Sequence, residues 1–298
     1  MSSLSISTSP DTTLHVRITR PKTNTRKPLL VFLHYWGGSS LTWYKLVFPD
    51  STTTLSSEYP TAAIDLRGWG QSTGPTEDAA GASYSITTMA SDIASVLSQL
   101  KSHAQNEDLL ANGFVLVGHS MGAKVALATL SALPAADLLG ALKGLVLVAP
   151  APPTALVLPV EMKEQQKVAY ETEDSVRWVA TNVLSSVEHL SEGDLDIIVR
   201  DSLSGNPLAK AAWPAYGMGE DITDEVSGAL LALSAAGIQV RVLAGELDVV
   251  ERKDRVESEV CRFLEGSGVM VSFRVVPAVK HLLPLESPAA VWEEISHF

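Results

Sequence analysis

Residues 113–126 read Gly-Phe-Val-Leu-Val-Gly-His-Ser-Met-Gly-Ala-Lys-Val-Ala, and their reading decides the fold. The β-branched run from Phe114 to Val117 predicts a short buried strand. Gly118-His-Ser-Met-Gly122 breaks it, and a helix-forming stretch follows at once. This is G-x-S-x-G set between a strand and a helix, a turn that lifts a serine hydroxyl clear of the strand end. A serine forced into such a strained turn needs neighbours without Cβ atoms, so that strand and helix can close on each other.

Ser120 is therefore the candidate nucleophile. A free hydroxyl is a poor nucleophile at neutral pH and needs a base within hydrogen-bond reach. The base in turn needs a carboxylate to hold its tautomer and stabilise the imidazolium. Gln239 to Ala244 reads as a strand, and Gly245-Glu-Leu-Asp248 follows it as a loop. Val269 to Val276 reads as another strand, followed by Pro277-Ala-Val-Lys-His281. Both Asp248 and His281 thus fall just past strand ends, where open parallel sheets place their chemistry. Glu246 competes with Asp248 for the role of acid, and alternation along the loop favours Asp248.

Three further segments complete a pattern. Leu33-His-Tyr-Trp-Gly-Gly-Ser39 looks like an H-G-x-x-G segment, and Asp65-Leu-Arg-Gly-Trp-Gly-Gln-Ser72 looks like a D-x-R-G-x-G-x-S turn. His281 opens the run His-Leu-Leu-Pro-Leu-Glu-Ser-Pro288. With the elbow and the Gly245–Asp248 loop, these motifs resemble the α/β-hydrolase family in its cap-bearing branch, over roughly residues 12–298. The order Ser, Asp, His agrees. The resemblance implies an α/β fold with a mostly parallel central sheet, helices on both faces, and a helical cap inserted after the sixth family strand. It implies Ser120 as nucleophile, His281 as base, Asp248 as orienting acid, and the N–H groups of Met121 and Trp36 as the oxyanion hole. It implies no metal and no organic cofactor.

The chain departs from the family twice. Tyr35 stands where most relatives have Gly, so a phenol is expected to project from the turn toward the cap and border the substrate. Lys280 stands where relatives have Gly before the base, and a lysine there is expected to face solvent. His119 is expected to pack or hydrogen-bond under the sheet, and His34 to fix the oxyanion loop.

The rest of the chain alternates strands and helices, as a parallel sheet covered on both faces requires. A strand pair is expected near residues 13–19, then strands at Leu29–Leu33, Ala62–Asp65 and Leu145–Ala149. Apolar residues at Ile86, Met89, Ile93, Val96, Leu97 and Leu100 have helical spacing and predict a helix from Ser85 to His103. After Pro150 the pattern changes: strands vanish, and four helical runs are expected near 159–170, 173–184, 192–201 and 207–217. The expected organisation is a core domain from residues 1–150 and 219–298, with a helical cap over 151–218. Tyr35, Trp36, Met121, Trp178 and Trp213 are the candidate substrate-binding residues.

Composition narrows the partners. The 298 residues are 46% hydrophobic and 19% charged, and the net charge is −12. That charge argues against nucleic acid and anionic membrane surfaces, whose phosphates select basic faces. Cys261 is the single cysteine, so no internal disulfide is possible, and a reducing, cytoplasmic setting is the expectation. The N-terminus lacks the basic start and apolar run of a secretory signal. The apolar stretch Leu138 to Val160 is broken by Gly144 and four prolines, so it reads as a helix end, a buried strand and an exit rather than a membrane span. The expected partner is a small-molecule ester or lactone, the protein being a monomer or homodimer. Two alternatives stay open: C–C bond hydrolysis of diketone-like substrates, and a hydrolase-fold small-molecule receptor. Nucleophilic aspartate enzymes such as epoxide hydrolases are disfavoured, because the elbow carries serine.

Overall fold

The computed structural model describes residues 1–22, 25–48, 55–78, 81–103, 105–134 and 137–298. Eight strands form one sheet: β1 (Ser2–Ser9), β2 (Thr12–Thr19), β3 (Leu29–Leu33), β4 (Thr61–Ile64), β5 (Phe114–His119), β6 (Leu142–Val148), β7 (Gln239–Gly245) and β8 (Met270–Val276). Their order is β1-β2-β4-β3-β5-β6-β7-β8. Strand β2 runs antiparallel to both its neighbours, and every pairing from β4 to β8 is parallel.

Period-two alternation divides the strands between two apolar layers. Leu29, Val31 and Leu33 face one layer, with Phe114, Leu116, Leu145 and Leu147. Leu30 and Phe32 face the other, with Val115, Val117, Val146 and Val148. Every residue of β3 and β5 is buried, which is why these strands read as unbroken apolar runs. Helices α1 (Ile86–Ser102) and α2 (Met121–Ala132) pack side by side on the first layer. Ser85, read from the sequence as the first helical residue, instead caps α1 by accepting from Thr88 N–H.

The strand pair expected near 13–19 is a hairpin that begins at Ser2. Strand β1 buries only Ile6 and is otherwise Ser- and Thr-rich, so its apolar signal was too weak to read. The stretch from Leu138 to Val160 contains a 3-10 turn at Leu139–Ala141 and then β6. Among the described residues no helix is long and apolar enough to cross a membrane.

Between β6 and β7 the described chain forms helices and no strand. They are α3 (Val160–Val168), α4 (Glu173–Val179), α5 (Glu192–Ser204), α6 (Pro207–Ala215) and α7 (Thr223–Ala235). Local chemistry starts α4, α5 and α6 where they start. Thr172 with Ser175 and Ser191 with Asp194 form reciprocal capping boxes, and Asn206 caps α6 ahead of Pro207. The two stems of this insertion pair with each other: Leu156 N–H donates to Met218 O at 2.8 Å, and Ile222 N–H to Pro153 O at 2.9 Å. Lys124, wholly buried on α2, donates its ammonium to the carbonyls of Thr154, Met218 and Glu220. Burial pulls the Lys124 ammonium down to about 8, against the opposing carboxylates of Glu220, Asp221 and Glu251.

Candidate active site

Ser120, Asp248 and His281 follow β5, β7 and β8, so all three sit at the carboxyl end of the sheet. Ser120 adopts φ 54° and ψ −116°, a conformation that costs a non-glycine residue about 1–3 kcal/mol. The surrounding backbone over-determines it. Ser120 N–H donates to Val148 O at 2.9 Å, and Ser120 O accepts from Ala123 and Ala151. Gly122 permits the approach of β3, since a Cβ there would lie 2.4 Å from Leu33 O and 2.5 Å from His34 O.

His281 Nδ1 lies 2.8 Å from Asp248 Oδ2. The carboxylate can only accept, so Nδ1 carries the proton and Nε2 keeps its lone pair. Asp248 Oδ1 accepts from the N–H groups of Val250 at 2.7 Å and Glu251 at 3.0 Å, which fixes the carboxylate plane. Burial opposes charge on His281, but the facing Asp248 carboxylate outweighs it, aided by Glu251 and Glu286, and the imidazole lies above its ordinary value. The geometry separates the two acids named from the sequence. Glu246 turns away and accepts from Ala278 N–H at 3.0 Å. Among the described residues no hydrogen bond joins the Ser120 hydroxyl to His281.

Met121 opens α2, so its N–H lies beyond the intrahelical ladder at the positive end of the helix dipole. Trp36 belongs to the loop after β3. The preceding carbonyl, Tyr35 O, accepts from His34 Nδ1 at 2.7 Å and from Gly38 N–H at 3.1 Å. Leu66 N–H donates to His34 Nε2 at 3.0 Å, so His34 is neutral, and burial holds it down at about 4. His34 does fix this loop.

Tyr35 projects toward the insertion and ends buried in the core, its ring 5.3 Å from that of His119. Burial, with Tyr170 and Asp201 nearby, raises the phenol well above its ordinary value, and Ser202 pulls the other way. The remaining aromatic candidates diverge. Trp213 is 7% exposed and belongs to the core, whereas Trp178 is 61% exposed on α4. Lys280 lies at the surface, where its ammonium donates to Asn182 O at 3.0 Å and ties the loop after β8 to the insertion.

Two carboxylates were not singled out by sequence reasoning. Glu251 is buried beside the couple and paired with Arg255. Burial pushes it up to about 7, against the pull of Arg255 and His281. Glu286 accepts from Ser186 N–H at 2.9 Å and faces the Lys280 N–H at 3.5 Å. Leu184 O accepts from both His281 N–H and Leu282 N–H. Glu251 stands three residues after Asp248, and Glu286 lies within the run from His281 to Pro288. The ends of these loops hold no group of three His, Cys, Asp or Glu suited to a metal ion among the described residues. A separate surface hollow of about 700 Å³, lined by Arg26, Lys101, Asn112 and Lys143, lies at the opposite ends of β5 and β6.

Residues 30–294 match the sequence model of the "Alpha/beta hydrolase family". The chain belongs to this family. An α/β hydrolase's eight-stranded, mostly parallel sheet is what the topology above displays. Over 183 residues the chain is 30% identical to "Probable lysophospholipase BODYGUARD 2" of Arabidopsis thaliana, covering 59% of this chain and 34% of that protein. The chain spans about a third or less of the length of the curated relatives it matches. Among solved structures, a thermophilic esterase from Thermogutta terrifontis superposes with a TM-score of 0.69 at 23% identity, covering 100% of this chain and 97% of the other. Est816, described as an N-acyl homoserine lactone degrading enzyme, superposes with a TM-score of 0.69 at 20% identity over 99% and 100%. At such identities the structural likeness speaks to fold.

Proposed function

We propose that this α/β hydrolase is a serine hydrolase that cleaves the ester or lactone bond of a small, largely apolar molecule. The observation that carries the reading is the His281–Asp248 couple, at 2.8 Å, beyond the same sheet edge as the strained Ser120. Ser120 Oγ attacks the substrate carbonyl while His281 Nε2 takes its proton, and Asp248 steadies the resulting imidazolium. The N–H groups of Met121 and Trp36 stabilise the tetrahedral oxyanion. Collapse of that intermediate breaks the acyl C–O bond, and His281 returns the proton to the leaving alkoxide. Water, deprotonated by His281, then attacks the acyl-enzyme and releases the acid with Ser120 regenerated. In a lactone the alcohol and acid stay in one molecule.

The insertion over 151–218 acts as a cap that excludes water, which strengthens the oxyanion electrostatics. The burial of the site supports this reading: Ser120 is 7% exposed and His281 2%. The esterase and the lactone-degrading enzyme among its structural neighbours agree with such a substrate class. The test is labelling with a fluorophosphonate, peptide mapping, and then a panel of esters, lactones and 1,3-diketones of graded size. The expected result is a single label on Ser120 and turnover of small esters or lactones. A label elsewhere, or cleavage confined to diketones, would overturn it.

A further inference from the structure

The loop that carries the Trp36 N–H is held from two sides. On the sheet side, His34 and Gly38 N–H grip the Tyr35 carbonyl, which shares one planar peptide unit with the Trp36 N–H. On the other side, the next two carbonyls are taken by the insertion. Tyr170 O–H donates to Trp36 O at 2.9 Å, and Ser202 O–H donates to Gly37 O at 2.8 Å. The Trp36 indole donates to Lys210 O at 3.1 Å, and Ser39 O–H donates to Asp201 at 2.5 Å. The phenol of Tyr170 sits where a side chain on residue 37 would be. A Cβ on Gly37, which has φ +97°, would lie 2.5 Å from that ring. The Trp36 and Tyr170 rings are 4.3 Å apart, and Trp36, Tyr170 and Ser202 are all buried.

Fixing the peptide planes on both sides of Trp36 fixes its φ and ψ, and with them the aim of its N–H. The sheet supplies one of those restraints and the insertion the other. We propose that Tyr170 and Ser202 are positioning residues for the oxyanion donor, so that the oxyanion hole is complete only when the insertion is seated on the loop after β3. This rests on the serine-hydrolase reading above. It assigns the insertion a share in the chemistry beyond covering the site. Tyr170 holds the carbonyl of the peptide that follows Trp36, and Ser202 holds the next carbonyl, Gly37 O, which keeps that peptide from turning.

The experiment compares Tyr170→Phe, Ser202→Ala and the double variant with the wild type. Ser175→Ala serves as reference, because it removes one half of the α4 capping box, the bond from Thr172 N–H to the Ser175 hydroxyl, without touching the loop. The readouts are kcat and KM on p-nitrophenyl butyrate, the rate constant for fluorophosphonate inactivation, and amide hydrogen exchange over residues 34–40. Misplacing a catalytic group by about 1 Å can cost up to 10²-fold in rate. Each single variant should therefore lose about ten- to a hundredfold in kcat, with KM within about twofold. Inactivation should slow by the same factor, and exchange over 34–40 should quicken. Ser175→Ala should keep its kcat per folded molecule. Wild-type kcat in the double variant, or a loss that only tracks the unfolded fraction, overturns the proposal. If the wild type takes no fluorophosphonate, the serine-hydrolase reading falls and exchange alone decides: unchanged protection in the double variant overturns the clamp, and faster exchange upholds it.

Discussion

Nε2 of His119 donates a hydrogen bond of 2.8 Å to the backbone carbonyl of His281. The residue before the candidate nucleophile thus holds the residue that carries the candidate base. Burial keeps His119 neutral, and any charge on His281 pushes the same way, so its value lies well below that of an ordinary histidine. That hydrogen bond ties the turn after β5 to the loop after β8, with a neutral His119 beside the candidate base.

Ser120→Ala and His281→Ala should each reduce kcat to at most a few per cent of wild type, because the two side chains act together. Ser120→Ala should keep the fold, since the strained backbone stays and only the hydroxyl goes. Steady-state kinetics and thermal unfolding check both. Substantial turnover by Ser120→Ala would remove Ser120 from the nucleophile role.

Asp248→Asn should lower kcat by about 10³ to 10⁴, by favouring the wrong His281 tautomer. Glu246→Gln should change it only a few-fold, since its carboxylate serves the Ala278 N–H. The reverse ranking would move the acid two residues upstream.

The pH profile should report Glu251. His281 must be neutral to act as base, and its value lies above that of an ordinary histidine, so kcat/KM should fall as pH drops through that value. The Glu251 anion favours the imidazolium, so Glu251→Gln should shift the acid limb to lower pH. Stability carries its own sign. Burial pushes Glu251 up to about 7 in the fold, from an ordinary 4.5. The native state therefore holds an extra proton between those values, and this group's contribution, full below about 4.5, is lost as pH rises through about 7. A kcat/KM profile from pH ~5 to ~9 with an unmoved acid limb would defeat this reading.

Lys124→Met should destabilise the protein by about 1–3 kcal/mol, because the carbonyls of Thr154, Met218 and Glu220 lose the ammonium, and among the described residues only Met218 O keeps a second donor in Leu156 N–H. Those carbonyls belong to both stems of the insertion. Limited proteolysis should therefore cut first near residues 151–158 and 216–222. Urea unfolding indistinguishable from wild type would show that the stems hold without the lysine.

Tyr35→Phe should leave kcat within about threefold, since the buried phenol faces Ser202 and the insertion rather than open space. A hundredfold fall in kcat at constant KM would instead return the Tyr35 hydroxyl to the oxyanion.

Local patterns were legible without coordinates. The elbow, the apolar runs of β3, β5 and β6, the helical spacing of α1 and the four helical runs after Pro150 all depend on neighbours within a few residues, where backbone sterics and burial periodicity leave a readable trace. The pairing of Asp248 with His281 was anticipated because each sits at a fixed offset from a strand end, and the sheet brings such ends together. Tertiary structure alone decided the rest. Lys124 is buried because the insertion folds back and presents the carbonyls of Thr154, Met218 and Glu220 to its ammonium. Trp178 and Trp213 look alike in the chain, yet one faces solvent and the other the core. Tyr170 and Ser202 gain a role only because they meet the carbonyls of Trp36 and Gly37 across more than a hundred residues of chain. A hydrogen bond between distant segments depends on where both backbones end up, and no spacing within either segment encodes that meeting.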